Sequence, residues 1–261
     1  MNMTDYHRAV DLAQLWQTIR AEATRDAGQF PLLRDFYRRN ILQHENFGQA
    51  LAYILAAKLS DAEAQIGQWH LLVLDLMADH PDIEMAALKD LSCQLQSNAS
   101  VKDHYTPLLH FGGYQALQSY RLAHAYWQQG DRPLASYIQG RVVTLYGVDI
   151  HPAAQVGAGI FIDHAVGIVV GETAVIEDDV TIFQCVTLGG TGKGSGDRHP
   201  KVRQGAFIGS GALILGNIEI GAGAKVGAGA IVVKSVAAHQ TVIGSVAQAH
   251  SKKLDTQGNT A

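Results

Sequence analysis

An apolar residue returns at every sixth position through the second half of this chain. Counting from Ile150 gives Val156, Ile162, Ile168, Ala174, Val180 and Val186; after a gap come Val202, Ile208, Ile214, Ile220, Val226 and Val232. Twelve of these thirteen positions are Ile or Val. An amphipathic helix repeats about every 3.6 residues and a half-buried strand about every 2, so neither fits. Hexads belong to a β-solenoid, in which each forms one flat side of a coil and turns its aliphatic residue into a narrow core. Two places before many beats the residue is small (Ala154, Ala206, Ala212, Ala224, Ala230), as a tight interior requires.

Val186 and Val202 stand sixteen residues apart, which predicts one ten-residue insertion that leaves the phase unchanged on either side. A coil core has no room for it, so it leaves as a loop, 189–201, Gly-rich at first and ending Asp197-Arg198-His199-Pro200. Insertions in repeat arrays map to binding faces, and loops carry function. The charged ending makes a functional loop the better reading than a floppy excursion.

Residues 1–146 follow other rules. They are Gly-poor up to Gly112 and rich in helix formers. Leu12, Leu15, Trp16 and Ile19 have helical spacing, as do Ala50, Leu51, Ile54 and Leu55, then Leu71, Leu72, Leu74 and Met77. Ser60-Asp61-Ala62-Glu63 has the form of a helix start. Gly112-Gly113 precedes a helix over 114–128, and Gly130-Asp131-Arg132-Pro133 ends it. The expectation is an α+β chain: six to eight helices over 1–146, a solenoid over 147–240, and a tail over 241–261. A net charge of -4 and the lack of a Lys/Arg run argue against nucleic acid. Neither a signal peptide nor an apolar membrane span is legible, and Cys93 and Cys185 form no CxxC. A soluble, cytoplasmic protein is expected.

The solenoid holds three histidines able to take a proton near neutral pH: His151, His164 and His199. His164 lies two places after the inward Ile162, so it faces out. Asp149, one place before a beat, also lies outside or at a corner. A carboxylate that orients an imidazole makes a general base, but fifteen residues separate Asp149 from His164, and an eighteen-residue coil would stack residues eighteen apart. Spacing alone leaves the pairing open. No His-x4-His pair or accompanying Cys suggests zinc, so no metal is expected.

The segments Asp149-Ile150-His151-Pro152-Ala153-Ala154, 163–173, 186–193 and 196–201 resemble the bacterial serine O-acetyltransferases, as do His44-Glu45-Asn46, Ala57-Lys58-Leu59 and Thr106-Pro107-Leu108-Leu109. The likeness spans about residues 10–235. It implies a left-handed parallel β-helix, acetyl-CoA as co-substrate, serine as acceptor, and trimers with sites between subunits that pair into hexamers through the helical domain. The helical domain would also complete the acceptor site. The resemblance makes His164 the base and Asp149 its orienting carboxylate. Asp163 would contact the amino acid, and Arg198 and His199 its carboxylate, a task that suits the planar guanidinium. Acetyl-CoA would run near Thr191, Ser210, Lys225 and Ala228.

Two departures stand out. Where the family has Asp-Pro, with the Asp facing the substrate ammonium, this chain has Asn98-Ala99, and Asp103 is the nearby carboxylate. This bears on both the acceptor and feedback inhibition by cysteine. The segment Gly244-Ser245-Val246-Ala247 departs from the family's Gly-Val-Pro-Ala, and Asn259-Thr260-Ala261 lacks the terminal Ile with which relatives dock into the next enzyme of cysteine synthesis, so that complex is not expected. An acetyltransferase for serine or another carboxylate-bearing hydroxy amino acid is the leading reading. A weakly active regulatory scaffold is the alternative, against which the joint presence of Asp149, Asp163, His164, Arg198 and His199 speaks.

Overall fold

The computed structural model describes residues 12–245, residue 63 excepted, and residue 247. The N-terminal stretch in which no signal peptide is legible and the reading at Asn259–Ala261 lie outside the described residues, as does most of the tail.

Eight α-helices are described: α1 (Leu12–Gln29), α2 (Arg34–Tyr37), α3 (Phe47–Leu59), α4 (Ile66–Asp79), α5 (Pro81–Ser97), α6 (Thr106–His110), α7 (Gly112–Gln129) and α8 (Arg132–Tyr146). The faces of α1 and α3 pack as their spacing predicts, with Leu15, Ile19, Leu51, Ile54 and Leu55 buried. The face of α4 is rotated from its predicted position: Leu71 is exposed, and Trp69, Val73, Leu76 and Met77 go inside. Ser60 starts no helix. It ends α3, its N–H bonded to the Ala56 carbonyl, and α4 begins six residues later, where the Gln68 side chain accepts from the N–H of the N-cap residue Gln65. The Ser-x-x-Glu pattern misled because Asp61 caps the intervening turn instead, accepting from the Ala64 N–H at 2.9 Å. Gly112 and Gly113 open α7 rather than precede it. A Cβ on Gly113 would stand 2.8 Å from the Ile162 carbonyl, so only glycine lets α7 lie this close to the solenoid.

From Asp149 on, the chain coils into three parallel sheets. The first stacks β1 (Asp149–Ile150), β4 (Val169–Val170), β7 (Thr187–Gly189), β10 (Leu213–Leu215) and β13 (Ile231–Val232). The second stacks β2 (Gln155–Val156), β5 (Val175–Ile176), β8 (Lys201–Val202) and β11 (Glu219–Ile220). The third stacks β3 (Phe161–Asp163), β6 (Thr181–Phe183), β9 (Phe207–Ile208), β12 (Lys225–Val226) and β14 (Thr241–Val242).

The register corrects the insertion read from the hexads. Val170 pairs with Leu188 eighteen residues on, but Ile150 pairs with Val170 twenty residues on. Two extra residues therefore lie between β3 and β4, at the corner that carries His164. Val202 follows Leu188 by fourteen where a hexad needs six, so the 189–201 excursion adds eight residues rather than ten. The sequence hid the split because each hexad turns two positions inward. After the two-residue insertion, Ile168, Ala174, Val180 and Val186 drop into the row of Ala154 and Ile160, while Val170, Ile176, Ile182 and Leu188 take over the strand row.

The helices close the first end of this stack. Asp90 of α5, fully buried, accepts from Arg121 Nη2 of α7 at 2.6 Å, from Gln118 at 3.0 Å and from the Ile160 N–H at 2.8 Å. Arg121 Nη2 also donates to the Gly157 carbonyl at 2.7 Å, and Tyr120 donates to the Ala154 carbonyl. A buried charge is tolerable when it is paired and its remaining lone pairs are satisfied, and here those partners come from both halves of the chain.

Candidate active site

The two-residue insertion forces an unusual corner. His164 and Ala165 both take the left-handed conformation, with φ of 57° and 67°. Non-glycine residues visit this region rarely, and such backbone concentrates at functional sites. The corner lifts His164 off the sheet: its side chain is 73% exposed, and Nε2 stands 3.5 Å from Asp163 Oδ2. A cavity of about 280 Å³ opens beside it, lined by Asn98, Ser100, His110, Phe111, Asp163 and His164. Three of the residues singled out in the sequence (Asn98, Asp163, His164) thus meet where the end of α5, the end of α6 and the solenoid corner converge. Asp103 is not among them: both its oxygens cap α6, accepting from the Thr106 N–H and Oγ1.

Asp149 begins the first sheet on the edge that the His164 corner feeds, facing Val169 in register. Its carboxylate accepts from Gln139 Nε2 of α8 at 2.7 Å, and no hydrogen bond or ion pair joins it to His164 within the chain.

Arg198 and His199 lie elsewhere. They close the 189–201 loop at the opposite edge of the first sheet, where it turns into the second. The Thr173 hydroxyl accepts from both their backbone N–H groups, at 3.0 and 3.2 Å. His199 is buried, and its ring packs where a Cβ on Gly171 would be 2.1 Å away. Its Nδ1 faces the Thr173 N–H at 3.1 Å. A backbone N–H can only donate, so Nδ1 is the acceptor and the neutral ring keeps its proton on Nε2. Burial first, and then the Arg198 charge, hold its pKa below the usual imidazole range. Arg198 pairs with Glu172 at 2.8 Å, which pulls the Glu172 carboxyl below its ordinary range. Lys201 ties the loop end to Asp197 and to the Thr173 and His199 carbonyls.

Of the positions expected along acetyl-CoA, Ser210 and Ala228 sit on successive coils above the His164 corner, where the Ser210 carbonyl accepts from the Gly229 N–H. Lys225 points outward from β12 beside them. Thr191 lies at the other edge, with the loop. Sequence reasoning gave no role to Glu172, Thr173, Gln139 or His110. Glu172 and Thr173 lie within the 163–173 motif block, which was the available signal; Gln139 and His110 sit in helices and carry none.

Comparison with known proteins bears on this arrangement. Residues 15–119 match the family model for the N-terminal part of serine acetyltransferase, and residues 199–234 match the bacterial transferase hexapeptide model. The serine acetyltransferase of Escherichia coli strain K12 is 49% identical over 234 residues, covering 90% of this chain and 86% of that protein. The chain belongs to the serine acetyltransferase family. Within that family, the Vibrio cholerae structure superposes with a TM-score of 0.87 at 49% identity, covering 89% of this chain and 90% of that one. A soybean structure complexed with serine gives a TM-score of 0.87 at 43% identity, covering 92% and 99%. The fold is the family's helical domain followed by a left-handed β-helix.

Proposed function

We propose that this chain transfers the acetyl group of acetyl-CoA to the hydroxyl of L-serine, with His164 as general base. The observation that carries this reading is the cavity joining Asn98, Asp163 and an outward His164, in a chain whose solved relatives include complexes with serine, with coenzyme A and with cysteine. His164 takes the hydroxyl proton as the serine oxygen attacks the thioester carbonyl. The carbon–sulfur bond breaks as the tetrahedral intermediate collapses, and the imidazolium returns its proton to the CoA thiolate. Asp163 meets the acceptor's ammonium. Arg198 and the Nε2–H of His199 meet its carboxylate, a match for a planar fork and a neutral donor. Cysteine, a thiol in place of the hydroxyl, fits the same cavity as an inhibitor.

The carboxylate readers and the base stand on opposite edges of one sheet, so a single chain does not complete the site. We assign the missing edge to a second copy, in a trimer that brings Thr191, Arg198 and His199 of one subunit to the His164 edge of the next. Support comes from apolar side chains left in water at Val169 and Ile231 of the first sheet with the adjoining Val233, and at Phe207 of the third with the adjoining Ile243, whereas the face of the second sheet carries Lys201 and Glu219 with the adjoining Arg203. Exposed apolar patches of this kind mark interaction surfaces. Trimers pairing through the helical domains would give a hexamer. Cys93 and Cys185 are free thiols, which suits a reducing compartment, and we place the reaction in the cytoplasm.

The test is release of CoA thiol with a panel of hydroxy amino acids. Release with serine alone is the expected result; release with none supports the scaffold reading.

A further inference from the structure

The cavity beside His164 is built differently from what the sequence position of Asn98 suggests. Asn98 Oδ1 accepts from the Ser100 N–H at 3.0 Å and from Ser100 Oγ at 2.6 Å. The backbone N–H can only donate, so the amide orientation is fixed, both lone pairs of Oδ1 are used, and Asn98 can offer the cavity only its NH2 group. An ammonium has three donors and no acceptor. It gains nothing from that NH2.

Another side chain on the same wall can serve. His110 ends α6 and lines the cavity with Asp163 and His164. Its ring lies nearly parallel to that of Phe36, with centroids 5.7 Å apart and planes 12° apart, which fixes its position. Neither ring nitrogen has a protein hydrogen-bond partner among the described residues. Partial burial against the helices and then the Lys58 ammonium hold His110 below its ordinary imidazole pKa, with Asp103 opposing, so the ring is neutral at neutral pH and offers one acceptor nitrogen.

We infer that His110 is a specificity-determining residue of the acceptor site, its neutral imidazole accepting a hydrogen bond from the acceptor's ammonium beside the Asp163 carboxylate. This rests on the serine-acetylating reading given above and adds which residue reads the amino group. The consequence is a site that prefers amino-bearing acceptors without a second carboxylate at position 98.

The test compares L-serine with 3-hydroxypropionate, which keeps the hydroxyl and carboxylate but lacks the ammonium. His110→Phe should raise KM for serine about tenfold, the loss expected of one hydrogen bond to a charged group. It should leave kcat for serine and KM for 3-hydroxypropionate within about twofold. His110→Gln, which keeps an acceptor atom, should recover most of the serine KM, and circular dichroism checks both variants for folding. An equal rise for both acceptors, or no rise for serine, would overturn the inference while leaving serine acetylation standing. Absence of thiol release from serine in the unaltered protein would overturn both.

Discussion

His164 is presented rather than buried, and its surroundings make its loss a clean experiment. Since the side chain is largely exposed and Asp163 is its one ion-pair partner among the described residues, His164→Ala should leave the unfolding midpoint unchanged while kcat falls about 10²–10⁴-fold, the usual cost of losing a general base. Near-native turnover in a folded variant would remove His164 from the mechanism. If Asp149 orients the base across a subunit contact, Asp149→Asn should lower kcat more than it raises KM for serine, since such a carboxylate acts on the base and not on acceptor binding. Arg198→Lys should raise KM for serine much more than for ethanolamine, which has no carboxylate for the guanidinium to grip; equal losses would show that Arg198 reads something else. The residues legible in the sequence were those placed by hexad phase and motif. His164 faces outward as its phase requires. Gln139 and His110 could not be found this way, since their relevance comes from where a helix lies in space, and no periodicity records that.

At the scale of elements, the sequence revealed the solenoid and concealed its most informative defect. Both inward rows of a hexad accept Ile, Val or Ala, so a two-residue insertion exchanges the rows without breaking the beat. The structure locates that insertion in the turn that presents His164. Deleting two residues, Ala165 and Val166, should therefore restore a regular eighteen-residue coil. The expected outcome is a protein with a native-like circular dichroism spectrum and cooperative unfolding but no acetyl transfer, because the left-handed corner that lifts His164 is gone. Retained activity would mean that the insertion does not place the base. The Asp90–Arg121 cluster sets the opposite expectation. Asp90→Ala leaves a buried guanidinium unpaired and should cost about 3–5 kcal/mol in denaturant unfolding, because that cluster joins α5, α7 and the first coil.

For the whole molecule, acid should act before the carboxylates titrate. His44, His70, His151 and His199 all have pKa values lowered from the ordinary 6.5, with burial the leading cause in each. The unfolded chain therefore binds protons at a higher pH than the folded one does, so stability is full above about pH 6.5 and falls as the pH drops below it. A urea midpoint lower at pH 5.5 than at pH 8 is the expected measurement. The assembly is open to a sharper test, one that exploits the separation of the two halves of the site. A His164→Ala subunit keeps Arg198, and an Arg198→Ala subunit keeps His164. If each site takes its base from one subunit and its carboxylate readers from the next, co-expressing the two inactive variants will regenerate intact sites at some interfaces of a cyclic trimer. Random mixing in equal amounts puts an intact pair at about a quarter of interfaces in a head-to-tail ring, so activity should return to about that fraction of the unaltered protein. Mixing the separately purified variants without dissociating them should restore nothing. If co-expression also restores nothing, while the mixed oligomer is present by mass, the base and the carboxylate readers belong to one subunit, and the 189–201 loop must then swing across the first sheet to reach His164.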